Sequence, residues 1–176
     1  MRLFIGIKTG CEGYLSSLQA EVRKAGNGSF TETEKLHITL RFLGEVLPPR
    51  VEDICSALAE TGGHVFSLEC RGIEVFKRGR IVSAKVGGEL KKLSAFHKRL
   101  ESALEKRGFE RPEREWCPHI TLARNFQAFG KYSFNEVFEA GCVFAVQEVI
   151  LFESRQNAGR SEYIPLYVHR LYPSVS

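Results

Sequence analysis

His37-Ile38-Thr39-Leu40 occurs twice in this chain, the second time as His119-Ile120-Thr121-Leu122. Each copy lies in an apolar stretch that is typical of a short buried strand. Because side chains alternate along a strand, the histidine and threonine of each copy face one side and the isoleucine and leucine face the other. A polar row backed by an apolar row indicates a strand that lines a cleft and packs beneath helices. The identical repeat indicates a duplicated unit, in which a pseudo-two-fold axis would bring two imidazoles and two hydroxyls to one cleft.

The length and composition of the chain are those of one small globular domain. It has 176 residues, of which 43% are hydrophobic, so we expect residues 1–176 to form a single domain with a packed core. The net charge of +4 suits a phosphate-bearing ligand without requiring one. No apolar run approaches the ~18 residues of a membrane span, and the apolar N-terminus is too short for a signal segment. We therefore expect a cytoplasmic protein that does not associate with membranes.

The five cysteines, Cys11, Cys55, Cys70, Cys117 and Cys142, form no CxxC pair. An odd number without paired spacing argues against a disulfide framework and against a zinc ribbon. We therefore expect five reduced thiols, most of them buried, as is usual for proteins of the cytoplasm.

Hydrophobic periodicity divides the chain into helices and strands. Apolar residues at helical spacing predict three helices, over residues 14–25, 51–59 and 90–104. Alternating or β-rich stretches predict strands over residues 3–7, 37–45, 66–75 with a bulge near Gly72, 81–86, 117–123, 143–152 and 163–171. Residues 125–141, which include Phe138, match neither pattern, so we expect them to be irregular. Strands joined by hairpins and separated by helices predict an α+β fold with antiparallel sheets.

Two histidines in one cleft can divide an acid–base reaction between them. Histidine titrates near neutrality, so one neutral imidazole could take a proton from water while a protonated one gives a proton to a leaving oxygen. The hydroxyls of Thr39 and Thr121, on the same faces as the histidines, would hydrogen-bond a phosphoryl oxygen. This set of groups suits cleavage of a P–O bond without a metal ion. A cyclic phosphate is a suitable substrate because opening its ring needs one base and one acid.

Two other interpretations compete with this one. A histidine on a strand is often structural, but the repeat weakens that interpretation for His37 and His119. A zinc site would need a third protein ligand, and the sequence has no HxH, HExxH or Cys/His cluster to supply one. The remaining histidines lack a motif. We expect His97 in the core or at its boundary, His64 in a solvated loop and His169 in a terminal strand.

Two arginines are candidates for binding the phosphate. Arg41 lies four residues after His37, so strand alternation places it on the histidine face, with a solvated strand end as the alternative. Arg124 follows the second motif, and alternation places it opposite His119 unless the strand ends there. Either guanidinium would bind a phosphate through two hydrogen bonds. The basic hairpin at residues 77–80 either lines the cleft entrance for an RNA backbone or is simply solvated.

The doubled motif and its surroundings resemble the 2H phosphoesterases, and within them the RNA 2′,3′-cyclic phosphodiesterases, formerly called 2′-5′ RNA ligases. The resemblance covers nearly the whole chain. Its matching stretches are Arg2-Leu3-Phe4-Ile5-Gly6-Ile7, the first motif with Phe42-Leu43-Gly44-Glu45, Pro118 to Arg124, and Leu151-Phe152-Glu153-Ser154 with Gly159 and Tyr163.

The resemblance implies a bilobal α+β fold, in which two antiparallel sheets with flanking helices enclose a central cleft. It implies hydrolysis of a terminal 2′,3′-cyclic phosphate, on RNA or a nucleotide, to a 2′-phosphate by a monomer without a cofactor or metal ion. Weak reversible 2′-5′ RNA ligation would accompany this reaction. By the same resemblance, His37 is the proton donor to the leaving 3′ oxygen, His119 is the proton acceptor that activates water, and Thr39 and Thr121 bind the phosphate. A nucleotide- or RNA-binding module without turnover is the alternative.

Overall fold

The computed structural model describes residues 1–134 and 140–174 of the chain. In chain order, its helices and strands are β1 (Arg2–Lys8), α1 (Glu12–Ala25), β2 (Gly26–Phe30), β3 (His37–Glu45), α2 (Val51–Thr61), β4 (Phe66–Phe76), β5 (Ile81–Gly88), α3 (Leu90–Glu105), β6 (His119–Ala128), β7 (Cys142–Val146), β8 (Glu148–Asn157) and β9 (Arg160–Arg170). This arrangement confirms the predicted α+β class.

The three α-helices of the described residues form where apolar residues recur at helical spacing, and each buries one face. Leu15, Leu18 and Val22 of α1 are fully buried, as are Leu93 and Leu100 of α3. Helices α2 and α3 pack against each other. No helix in the described part of the chain is long and apolar enough to cross a membrane.

The strands form one curled antiparallel sheet in the order β7-β4-β5-β6-β3-β1-β8-β9, and β2 pairs with β6 off this path. Strands β3 and β6, which carry the two motif copies, are neighbours at the centre and are joined through the registered pair Ile38–Ile120. Strands β1, β8 and β9 lie on one side of this pair, and β5, β4 and β7 lie on the other. The two halves therefore correspond strand for strand about a pseudo-two-fold axis, with the two predicted sheets joined into one.

Both motif strands contain a β-bulge at the last residue of the motif. In β3 the register against β1 skips one residue after Thr39, and in β6 the register against β5 skips one at the equivalent position. A bulge adds a residue to one strand and so reverses the alternation of faces beyond it. Arg41 and Ala123 are consequently buried beneath the sheet, whereas the residues that follow them, Phe42 and Arg124, face the cleft between the halves.

Several local predictions are confirmed. The register of β4 against β5 shifts between Cys70 and Ile73, and Gly72 has a φ of 75°, so the bulge lies where the change of alternation placed it. The basic hairpin closes at residues 77–80, and the last strand overlaps the predicted one.

Three stretches differ from the sequence-based prediction. The sequence predicts no strand directly after the first helix, but Gly26–Phe30 forms β2, whose backbone pairs with β6, and a Cβ at Gly26 would lie 2.3 Å from the Gln127 carbonyl oxygen. The predicted strand over 143–152 is two strands, β7 and β8, separated at Gln147. Strand β6 continues to Ala128, into the stretch predicted to be irregular, while Phe138 lies outside the described residues.

The expectation of five reduced thiols is wrong for one pair. Cys11, directly before α1, and Cys142, the first residue of β7, form a disulfide across a sequence separation of 131 residues. Because only the fold brings these positions together, no local spacing could have indicated the bond. Cys55, Cys70 and Cys117 are free, and Cys70 is buried. Burial raises the pKa of the Cys70 thiol to about 12, which makes it unreactive.

Candidate active site

Five of the six side chains singled out from the sequence line one cleft of about 530 Å³ at the junction of the two halves. They are His37, Thr39, His119, Thr121 and Arg124. The central pairing of β3 with β6 brings the two motif copies side by side, and the alternation of each strand points its histidine and threonine into the same space. The two copies of the motif thus place two symmetry-related pairs of histidine and threonine side chains in one cleft.

Both histidines are oriented by a backbone carbonyl two residues earlier. The Nδ1–H of His37 donates to the Lys35 carbonyl oxygen over 2.6 Å, and the Nδ1–H of His119 donates to the Cys117 carbonyl oxygen over 2.9 Å. A carbonyl oxygen only accepts hydrogen bonds, so each neutral imidazole carries its proton on Nδ1. The other ring nitrogen, Nε2, is then the atom of each histidine that can exchange a proton with a ligand.

The environment of His37 favours its neutral form. Burial is the largest effect that lowers its pKa, the hydrogen bond to Lys35 opposes the shift, and the positive charges of Arg124 and His119 lower the pKa further. The Thr39 hydroxyl donates to Nε2 of His37 over 2.9 Å. An anion bound in this cleft would favour the imidazolium, because it would offset the neighbouring positive charges.

The ring of His37 lies against β1 because residue 6 has no side chain. The Phe4 ring centroid lies 4.9 Å from that of His37, and the Tyr163 ring meets His37 edge-on at 5.5 Å. A Cβ at Gly6 would lie 3.2 Å from Cδ2 of His37 and 3.0 Å from the Ile38 carbonyl oxygen. The glycine therefore sets the position of the imidazole.

Gly6→Ala should displace the His37 ring and lower turnover. We expect a loss of about tenfold, since misplacement of a reacting group by 1 Å can cost up to about 100-fold, with a stability loss of about 1–3 kcal/mol from overpacking. Steady-state kinetics and denaturant unfolding measure the two effects. The matched control is Gly87→Ala in β5, where a Cβ would meet nothing within 4 Å. Equal effects of both substitutions would contradict the role of Gly6.

The second histidine lies beside a carboxyl group. Burial raises the pKa of Glu74 above its ordinary value, and the nearby positive charges of His119 and Lys85 partly offset this shift. The Phe76 ring lies 5.5 Å from that of His119.

The two arginines have different places in the fold. Arg124 lines the cleft with His119, which agrees with its proposed contact with phosphate, and the bulge in β6 explains why simple alternation placed it on the other face. The prediction that Arg41 shares the face of His37 is wrong, because the bulge in β3 turns its side chain away. Arg41 is 7% exposed and donates to Glu101 of α3 over 2.6 Å and to the Glu110 carbonyl oxygen.

Sequence reasoning missed the polar and aromatic side chains that extend the cleft along the first half. They are Arg2, Phe4, Phe42, Ser154, Gln156 and Tyr163. The alternation of β1 would have placed Arg2 and Phe4 on the face of the motif, because β1 is the neighbour of β3. The others come from the bulge in β3 and from the distant strands β8 and β9, so no local signal in the sequence brings them to the cleft.

The three other histidines are held by backbone carbonyls outside the cleft. His97 is half-buried at the boundary of the core, as predicted, and donates from Nε2 to the Leu40 carbonyl oxygen over 3.2 Å. His64 is exposed and hydrogen-bonds the Pro173 carbonyl oxygen, and His169 is buried against the Gly62 carbonyl oxygen. Across residues 1–134 and 140–174, no group of three or more His, Cys, Asp or Glu side chains is placed to hold a metal ion.

Comparisons with known proteins agree with this geometry. A family model described as LigT like Phosphoesterase matches residues 5–83. The RNA 2′,3′-cyclic phosphodiesterase of Aeropyrum pernix is 37% identical over 116 residues, which are 64% of this chain and 66%, just under two thirds, of that protein. The protein of the same name from Thermotoga maritima is 32% identical over 133 residues, 70% of each chain. The crystal structure of E. coli LigT complexed with 3′-AMP superposes with a TM-score of 0.79 at 25% identity, over 97% of both chains.

A curled antiparallel sheet with a histidine–threonine pair from each half defines the 2H class of phosphoesterases. The chain belongs to the LigT-like phosphoesterase family of this class.

Proposed function

We propose that this protein is an RNA 2′,3′-cyclic phosphodiesterase that opens a terminal 2′,3′-cyclic phosphate to a 2′-phosphate without a metal ion. The observation that carries the proposal is the pair of Nδ1–carbonyl hydrogen bonds, which leave Nε2 of His37 and of His119 as the proton-exchanging atoms in one cleft. The names of the A. pernix and T. maritima relatives support the same substrate.

In the proposed mechanism, the cyclic phosphate lies between the two histidines. Nε2 of His119 takes a proton from water, whose oxygen forms a bond to phosphorus. The bond from phosphorus to the 3′ oxygen breaks, and Nε2–H of His37 gives its proton to that oxygen. Thr39, Thr121 and Arg124 hold the nonbridging oxygens and stabilise the charge that develops on them. Solvent then returns the proton from His119 to His37.

The cleft also has room for the nucleoside. Phe42 is 62% exposed and lines the cleft, and Tyr163, which also lines it, meets the His37 ring edge-on. We propose that the terminal base stacks on these rings, because aromatic faces bind every base. A 5′-hydroxyl of a second RNA in place of water would give a 2′-5′ linkage by the same proton transfers, and we propose weak, reversible ligation of this kind as a side reaction.

The proposed function predicts one product from an oligonucleotide that ends in a 2′,3′-cyclic phosphate. Purified protein should convert it to the 2′-phosphate, and reaction in ¹⁸O-water should place one label on phosphorus, as phosphorus NMR and mass spectrometry can show. Excess EDTA should leave the rate unchanged, since neither histidine acts through a metal ion.

Other products of this experiment identify the alternatives. A 3′-phosphate would mean that the opposite bond breaks, and loss of activity that zinc restores would favour a metal site. Tight nucleotide binding without any product would leave the binding module as the function. The E. coli LigT complex with 3′-AMP is consistent with binding in either case, because it holds a nucleotide.

We further propose that the protein acts as a monomer in the cytoplasm. The cleft takes both histidines and both threonines from one chain, so it needs no second copy to be complete. Light scattering on the purified protein tests the oligomeric state. Counting free thiols after purification from cytoplasm under thiol-blocking conditions tests whether the Cys11–Cys142 bond forms there.

A further inference from the structure

We propose that Trp116 is a positioning residue that couples the two histidine strands from behind the cleft and keeps His119 in the tautomer that a base requires. The inference rests on the proposed function for its catalytic consequence, and on the hydrogen bonds around Trp116 for its geometry.

Trp116 lies at the end of the charged loop that leads into β6. Its indole Nε1–H donates to the carbonyl oxygen of Thr39 over 2.9 Å. The next residue, Cys117, presents the carbonyl oxygen that accepts from Nδ1–H of His119. A short chain of two hydrogen bonds and one peptide unit therefore links the backbone of the first motif to the imidazole of the second.

The indole is also held by stacking. Its ring lies parallel to that of His97, with centroids 4.0 Å apart and an interplanar angle of 9°. The Nε2–H of His97 donates to the Leu40 carbonyl oxygen. Burial lowers the pKa of His97 to about 4, so this ring is neutral near pH 7 and keeps donating this hydrogen bond. Trp116 is thus fixed both at its N–H and across its ring face.

A second attachment holds the start of the same loop. Arg41 donates to the carbonyl oxygen of Glu110. Residues 110–117 are therefore tied to β3 at both ends, through Arg41 and through Thr39. The position of the Cys117 carbonyl oxygen is consequently set by the strand that carries His37.

The tautomer of His119 depends on that carbonyl oxygen. If it moves away, the neutral imidazole can place its proton on Nε2 instead of Nδ1. When Nε2 already carries a proton, it cannot accept one from water. The fraction of His119 that can act as a base would therefore fall. This loss lowers kcat more than it raises KM, because the indole bonds the backbone of Thr39 and not the side chains that would hold the phosphate.

Trp116→Phe tests the inference, because phenylalanine can keep the stack on His97 but cannot donate to Thr39. We expect kcat to fall about 10- to 100-fold, by analogy with the loss of a hydrogen-bond partner that orients a metal-bound histidine, with KM changed by less than about twofold. Imidazole nitrogen-15 NMR should show Nδ1–H for neutral His119 in the wild type and a mixture of tautomers in the variant.

The matched control is Arg111→Met on the same loop. Arg111 bonds Glu105 and Ser102 of α3 and not β3, so its loss should leave kcat and the tautomer unchanged. Since Trp116 is the single tryptophan of the chain, biosynthetic replacement by benzothienylalanine provides a second variant that keeps the fused ring and removes the N–H. This replacement covers the case in which Trp116→Phe fails to fold.

The two readouts must change together for the inference to stand. An unchanged tautomer in the folded variants would overturn it, whether or not kcat falls, because a fall in kcat alone would reflect a structural role. A tautomer change at constant kcat would equally overturn it. The NMR experiment needs no turnover, so it still tests the positioning role if the wild-type protein proves inactive and the proposed function fails.

Discussion

Replacing His37 or His119 by alanine should lower turnover of the cyclic phosphate by roughly 10²–10⁴, the usual effect of losing a general acid or base. Both rings line an open cleft, so circular dichroism should stay native. The matched control is His64→Ala, which removes an exposed histidine that bonds the Pro173 carbonyl oxygen outside the cleft. Near-normal turnover in either cleft variant would contradict the assigned roles.

The pH dependence of the residual activity distinguishes the acid from the base. In the wild type the rate should follow a bell, whose limbs are macroscopic constants of the pair. In His119→Ala only the acid remains, so kcat/KM should fall as pH rises through the pKa of His37. Because burial lowers that pKa, the fall should come at a lower pH than an ordinary histidine would give. In His37→Ala only the base remains, and residual activity should rise with pH.

A change of leaving group provides an independent check on the same roles. A 3′-bridging sulfur in the cyclic phosphate leaves without needing a proton. It should therefore rescue His37→Ala and not His119→Ala. Rescue of His119→Ala instead would reverse the two roles and retain the reaction class, and rescue of neither would mean that at least one histidine only binds phosphate.

The second large effect concerns stability. Arg41→Met should lower the free energy of unfolding by about 3–5 kcal/mol, because it leaves the carboxylate of Glu101 buried without its partner. The two side chains are 7% and 6% exposed and lie 2.6 Å apart. We propose that residues 1–176 unfold as one cooperative unit, so urea denaturation measures this loss as a shift of a single transition.

The destabilisation should depend on pH in a known direction. Burial raises the pKa of Glu101, and the charge of Arg41 opposes that shift, so removing Arg41 raises the pKa further. The buried carboxyl then takes up a proton on folding, and the variant should lose stability as pH rises through the unfolded and then the folded pKa of Glu101. The loss relative to wild type should therefore be smaller in mild acid than at neutral pH.

Two controls separate the buried pair from charge removal in general. The double variant Arg41→Met/Glu101→Leu should recover most of the stability, because replacing both partners by apolar groups is often neutral. Arg111→Met removes one partner of an exposed ion pair and should cost less than about 1 kcal/mol. A loss below that value for Arg41→Met would show that Arg41 is not essential to the core.

The functional core of the cleft was predictable from the sequence because it depends on a local rule. His37 and Thr39 share a face through strand alternation, and an identical copy elsewhere predicts a symmetric partner. The bulge at Gly72 was predictable because the apolar residues before and after it fall on alternate positions of opposite parity. The helices were predictable from the spacing of their apolar residues, because tertiary contacts did not override that local preference.

The rest depended on contacts that sequence spacing does not record. The bulge in β3 exchanges the faces of Arg41 and Phe42, and only pairing with β1 reveals it. The residue after the motif is charged in the first copy (Arg41) and apolar in the second (Ala123). The two copies therefore share no sequence pattern that would indicate the bulge in β6. Trp116 ends a charged stretch of sequence, and nothing nearby in sequence indicates an indole bound to Thr39.

The Cys11–Cys142 bond turns most of the molecule into a closed covalent ring. His37, His119, helices α1 to α3 and strands β2 to β6 belong to the ring, whereas β1 precedes it and β7, β8 and β9 follow its closing residue Cys142. A single peptide-bond cut anywhere inside the ring therefore leaves the two pieces joined, and the motifs cannot drift apart as separate fragments. The same cut after reduction would release two polypeptides that only the sheet holds together.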